Sequence, residues 1–91
     1  MNPNSRPQRN PRTASRVIDG EAVIVLPEKM ELRILSTTGS RVWDLIDGSR
    51  TVSAIAEEVV KEFEVSPEEA RRDVDGFLEE LRNANLITVL E

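Results

Sequence analysis

Residues 30–46 read Met30-Glu31-Leu32-Arg33-Ile34-Leu35-Ser36-Thr37-Thr38-Gly39-Ser40-Arg41-Val42-Trp43-Asp44-Leu45-Ile46, and the apolar period changes within them. Met30, Leu32 and Ile34 alternate with Glu31 and Arg33. A period of two is that of a strand with one buried face. It predicts Met30, Leu32 and Ile34 in the core, with Glu31 and Arg33 turned away from it. Ser36-Thr37-Thr38 then offers hydroxyls that can accept from the unpaired first amides of a helix. Val42, Trp43, Leu45 and Ile46 follow at helical spacing, which predicts Trp43 as a core residue, and Asp47-Gly48 stops the helix.

Upstream, Asp19-Gly20 separates Val17-Ile18 from the run Ala22–Leu26, a short hairpin signal. Pro27 ends the second strand, because it lacks the amide a ladder needs. Three short strands therefore form an antiparallel meander. Downstream, Thr51 can cap a second helix carrying Val52, Ile55, Ala56, Val59, Val60 and Phe63. Ser66-Pro67-Glu68-Glu69 is a capping box with proline at the first helical position. The third helix runs through Ala70, Val74, Phe77, Leu78 and Leu81. Asn85 suits a left-handed cap, and Leu86–Leu90 can form a last short strand. The reading is an α+β domain with a three-stranded antiparallel sheet followed by three helices, a layout that suits a winged helix-turn-helix.

Ninety-one residues make one domain. The chain has no Cys, His or Tyr. Zinc, haem and iron–sulfur ligation by Cys or His are excluded, and the commonest general base is missing. No apolar run approaches the ~18–20 residues of a membrane helix. The expectation is a cytoplasmic protein with no membrane association and no cofactor or metal.

Charge is unevenly placed. Residues 1–16 hold Arg6, Arg9, Arg12 and Arg16 and no acid, so the formal total of −5 leaves −9 for residues 17–91. Residues 1–14, with Pro3, Pro7 and Pro11 and little that is apolar, read as a disordered tail. Residues 15–91 are the folded domain. The third helix carries six acids against three arginines, with Glu68 and Glu69 at its start, where a DNA-reading helix places cations. Nucleic acid is therefore not an expected partner, although a DNA-binding winged helix and a generic protein-interaction module are the alternative readings.

The stretches Leu-Ser-Thr-Thr-Gly-Ser-Arg-Val-Trp-Asp-Leu-Ile-Asp-Gly-Ser-Arg-Thr-Val-Ser-Ala-Ile-Ala-Glu-Glu-Val-Val (35–60) and Asp-Val-Asp-Gly-Phe-Leu-Glu-Glu-Leu-Arg-Asn-Ala-Asn-Leu-Ile (73–87) resemble the PqqD family, named for pyrroloquinoline quinone biosynthesis protein D. The likeness covers about residues 16–90. Ser36, Ala54 and Asn85 stand where members of that family often have Asn, Glu and Gly. The resemblance implies a winged helix-turn-helix-like fold and no catalysis. It implies binding of the leader of a ribosomally made precursor peptide, and its presentation to a modifying enzyme, often a radical S-adenosylmethionine enzyme, in pyrroloquinoline quinone biosynthesis or a related pathway. The leader would add as a strand along Met30, Glu31, Leu32, Arg33, Ile34 and Leu35, in a groove walled by the third helix. Arg71, Asp75 and Leu78, on one row of that helix, are the expected wall. Asp73 and Asp75, two positions apart, face different ways and cannot act as an acid–base pair.

Overall fold

The computed structural model describes residues 1–90. The elements are β1 (Arg6–Arg9), β2 (Ala14–Ile18), β3 (Glu21–Leu26), a 3-10 turn (Pro27–Lys29), β4 (Glu31–Ile34), α1 (Thr37–Leu45), α2 (Val52–Phe63), α3 (Pro67–Asn83) and β5 (Ile87–Leu90). They form an antiparallel sheet ordered β2-β3-β4, a separate antiparallel pair β1-β5, and three helices. The α+β class and the succession of three strands and three helices match the sequence reading. No helix among the described residues is long and apolar enough to cross a membrane.

The local signals act as their chemistry requires. Asp19 and Gly20 both have positive φ, 51° and 81°, as a two-residue hairpin turn of type I′ demands. Ser36, Thr51 and Ser66 each accept from the amide three residues on, at Gly39, Ala54 and Glu69. Asn85 closes α3 at φ 63°, and the Leu86 amide reaches back to the Leu81 carbonyl at 2.9 Å. The core lies between β3 and the helices: Ile24, Leu26, Trp43, Ile55, Val74, Leu78, Leu81 and Leu86 are all nearly fully buried. Trp43 donates its indole N–H to Ser15 Oγ at 3.2 Å, so its one polar atom is satisfied.

Two expectations are corrected. The first concerns which face of β4 is buried. Met30, Leu32 and Ile34 are 94%, 60% and 64% exposed. The register pairs Ile24 with Arg33 and Leu26 with Glu31, which puts the charged residues on the inner face. Alternation fixes the period and leaves the face open. At the edge of the sheet the inner side overlooks a cleft, where long charged side chains keep their heads wet.

The second concerns residues 1–14, read as a disordered tail. Their backbone carries a strand and its carbonyls serve as acceptors. β1 pairs with β5 from Arg6↔Leu90 to Arg9↔Ile87. The carbonyls of Pro3, Ser5 and Pro7 accept from the amides of Ser53, Val52 and Gly48 at 3.1, 2.9 and 3.0 Å. Because the Pro7 carbonyl faces Gly48, its nitrogen faces the same way, and the missing N–H costs no bond to β5. Arg9 lies over the Trp43 ring, 4.6 Å from its centroid, and donates to the Trp43 carbonyl at 2.7 Å. This segment is ordered by bonds to distant backbone, which composition does not report.

Candidate functional site

Among the described residues no cluster of three or more His, Cys, Asp or Glu could hold a metal. What the fold does present is a strand edge. β4 ends the sheet, with β3 on one side and, among the described residues, no strand on the other. The Leu35 amide donates to the Ala22 carbonyl at 2.9 Å, which fixes the phase of the ladder. In an antiparallel pair the bonded residues alternate. Glu31 and Arg33, opposite Leu26 and Ile24, therefore turn their main chain to β3. Leu32 and Ile34 turn their N–H and C=O groups to the open side. These four groups form a short ladder ready for another strand.

Beside that edge lies a cleft of about 620 Å³, lined by Lys29, Glu31 and Arg33 from the strand side and by Glu80, Asn83 and the cap residue Ala84 from the end of α3. Its charged walls balance two cations against two anions, and Arg33 sits 3.7 Å from Glu31. A smaller cavity of about 260 Å³ lies between α1, α2 and α3, with Gly39, Val42, Phe63, Asp73 and Phe77 among its lining residues. Phe77 is pressed against Gly39: a Cβ there would meet the ring at 3.3 Å. A strand on β4 would lie with half of its side chains toward the cleft and half beside Leu32 and Ile34 on the outer face.

The structure brings together only part of the residues read from the sequence. Glu31 and Arg33 line the cleft, Leu32 and Ile34 carry the open backbone groups, and Met30 projects from the turn before them. Leu35 is buried beneath the end of the strand. Leu78 is fully buried in the core. Arg71 and Asp75 pair with each other at 3.1 Å, and Arg71 also donates to the Met1 carbonyl. Arg71 lines a groove with Ser53, Val60 and Pro67, between α2 and α3. The residues of the third helix on the β4 cleft are instead Glu80 and Asn83, with Ala84 at its C-terminal cap. The core stripe of α3 has two flanks, and α2 occupies the one with Arg71. The row Asp73, Phe77, Glu80, Ala84 was an available signal for the other flank, since it follows the same helical spacing on the opposite side of the stripe.

Two perturbed groups lie away from the cleft. The carboxyl of Asp47, in the turn after α1, is held below the usual carboxylate range by the amides of Arg50 and Ser49, which both donate to it at 2.8 Å. The Arg41 guanidinium is pushed up by its hydrogen bond to Glu62.

Known proteins share this architecture. TbiB1, solved in complex with the TbiA(beta) leader peptide, is 26% identical, with a TM-score of 0.83 over 88% of this chain and 93% of its own. A lasso peptide synthetase B1, complexed with its leader peptide, gives a TM-score of 0.82 at 17% identity over 91% and 98%. The PqqD truncation of Methylobacterium extorquens PqqCD, described as a stand-alone recognition element for ribosomally synthesized and post-translationally modified peptides, gives 0.74 at 22% identity over 97% and 99%. No curated relative matches in sequence. The family of coenzyme PQQ synthesis protein D, PqqD, matches residues 21–87. With nearly three-quarters of its length matched and the fold shared, this chain belongs to the PqqD family.

Proposed function

We propose that this chain is a non-catalytic recognition domain. It binds the leader of a ribosomally made precursor peptide as an added strand on β4 and presents the rest of that peptide to a modifying enzyme. The observation that carries the reading is the pair of outward-turned residues Leu32 and Ile34, whose main-chain groups stand open beside a cleft. Edge addition draws affinity from backbone bonds and selectivity from the pockets that receive alternate side chains. The cleft offers such a pocket, with Lys29 and Arg33 to meet acids and Glu31 and Glu80 to meet bases. The neighbours whose structures contain leader peptides support the same use of this fold.

The absence of His and Cys from the sequence supports a domain that holds rather than transforms its peptide. The enzyme it serves is read as a radical S-adenosylmethionine enzyme or another peptide-modifying enzyme, in pyrroloquinoline quinone biosynthesis or a related pathway. The acidic α3, carrying Glu68 and Glu69 in its first turn, weighs against DNA.

The test is Leu32→Pro, which removes an outward amide and no bond to β3. Titration calorimetry with the cognate leader peptide should show at least a ten-fold loss of affinity, about 1.4 kcal/mol. Circular dichroism should show the fold retained. Undiminished binding would overturn the reading.

A further inference from the structure

Among the described residues no element covers the outer face of the β2-β3-β4 sheet, and its chemistry is that of an interface. The register aligns three rows across it: Ala14, Val25 and Leu32, then Arg16, Val23 and Ile34, then Ile18 and Glu21. Ile18, Leu32 and Ile34 are 52%, 60% and 64% exposed. Contiguous apolar surface of this kind marks a contact site. Two charges interrupt it, Arg16 and Glu21. Among the described residues neither has an ion-pair partner within the chain.

We propose that the occupant is a second copy of this chain, packed face to face through a two-fold axis. The positions of the two charges carry the choice. Strands are about 4.8 Å apart and two residues advance about 6.8 Å. On that grid Arg16 and Glu21 are diagonal neighbours, and the line that bisects them passes close to Ile18, Val23 and Ile34. A two-fold axis along that line exchanges Arg16 with Glu21, so each guanidinium meets the partner's carboxylate and two such pairs form. It also lays Val23 and Ile34 against their own copies. An isologous interface requires this self-complementarity. The same axis crosses the strands of the two sheets at about 70° on that grid, nearer the orthogonal than the aligned packing of sheet faces.

The contact is small, so the dimer is weak and concentration-dependent. The main-chain groups of Leu32 and Ile34 lie at the rim of this contact, and the dimer forms without peptide.

Sedimentation equilibrium of the full chain, without peptide, tests it. The apparent mass should rise from 10.2 kDa toward twice that between about 5 and about 500 µM. Ile34→Lys should hold the mass at that of the monomer throughout. Arg16→Glu and Glu21→Arg should each weaken association several-fold, and the two combined should restore it. Val17→Lys, an exposed residue on the opposite side of β2, should change nothing. A chain monomeric at every concentration would overturn the proposal and give this face to a different protein. A dimer indifferent to Ile34→Lys, or charge variants that fail to compensate, would overturn it as well.

Discussion

The hydroxyl of Ser40 stands between the Ala22 amide and the Leu35 carbonyl. Its oxygen accepts from Ala22 N at 2.7 Å and it donates to Leu35 O at 3.4 Å. The Ala22 amide thus bonds to a helix side chain at the point where the strand ladder would otherwise close. One buried serine ties the end of β4 to α1 and fixes how the strand edge sits against the helices.

Ser40→Ala leaves the buried Ala22 amide without that acceptor. An orphaned buried donor costs about 1–3 kcal/mol. Urea unfolding should show a loss of that size, with the midpoint moving and the slope unchanged. A loss under about 0.5 kcal/mol would mean that the ladder closes on its own.

Deleting residues 1–9 should destabilise the domain well beyond a surface change. It strips β5 of its partner and removes acceptors from Gly48, Val52 and Ser53. Arg9→Ala alone should cost about 1–2 kcal/mol, from the lost stacking on Trp43 and the lost bonds to its carbonyl. Differential scanning calorimetry measures both. An unchanged melting temperature for the deletion would return these residues to the status of a tail.

Gly76 is exposed in mid-helix, and a Cβ added there would meet nothing within 4 Å. Gly76→Ala should stabilise the chain by about 0.5–1 kcal/mol through helix propensity and a less flexible unfolded state. A loss of stability would show that something approaches this surface.

The Asp47 carboxylate gives a pH signature. Its folded pKa lies below its unfolded value, because the Arg50 and Ser49 amides favour the charged form. Its contribution is fully present above the unfolded carboxylate range, near about pH 4, and is lost as pH falls through the lowered folded value. The stability difference between the parent and Asp47→Asn should therefore be constant from about pH 5 to about pH 8 and shrink in stronger acid. A difference that grows in acid would contradict the assignment.

What the sequence made legible was local. The Asp19-Gly20 turn, the caps at Ser36, Thr51 and Ser66, and the left-handed Asn85 are each decided by a few adjacent residues. The burial of Trp43 followed from its apolar neighbours. What stayed hidden was decided by distant partners. The face on which Leu32 and Ile34 lie depends on their register with β3, and a one-residue choice inverts it. The flank of α3 that meets the cleft depends on where α2 packs, so Arg71 and Asp75 were as plausible in one dimension as Glu80 and Asn83. The segment at 1–14 is held largely through main-chain groups, which composition does not report.

Amide hydrogen exchange, resolved by residue with and without the cognate leader peptide, tests the central claim most directly. Glu31 and Arg33 donate to β3 in the free protein, so their exchange should change little. Leu32 and Ile34 have open amides, and both should become protected when the leader binds. Alternating protection along four consecutive residues is the mark of an added strand. Protection confined to the groove of Ser53, Val60 and Arg71, with Leu32 and Ile34 still exchanging freely, would contradict the account.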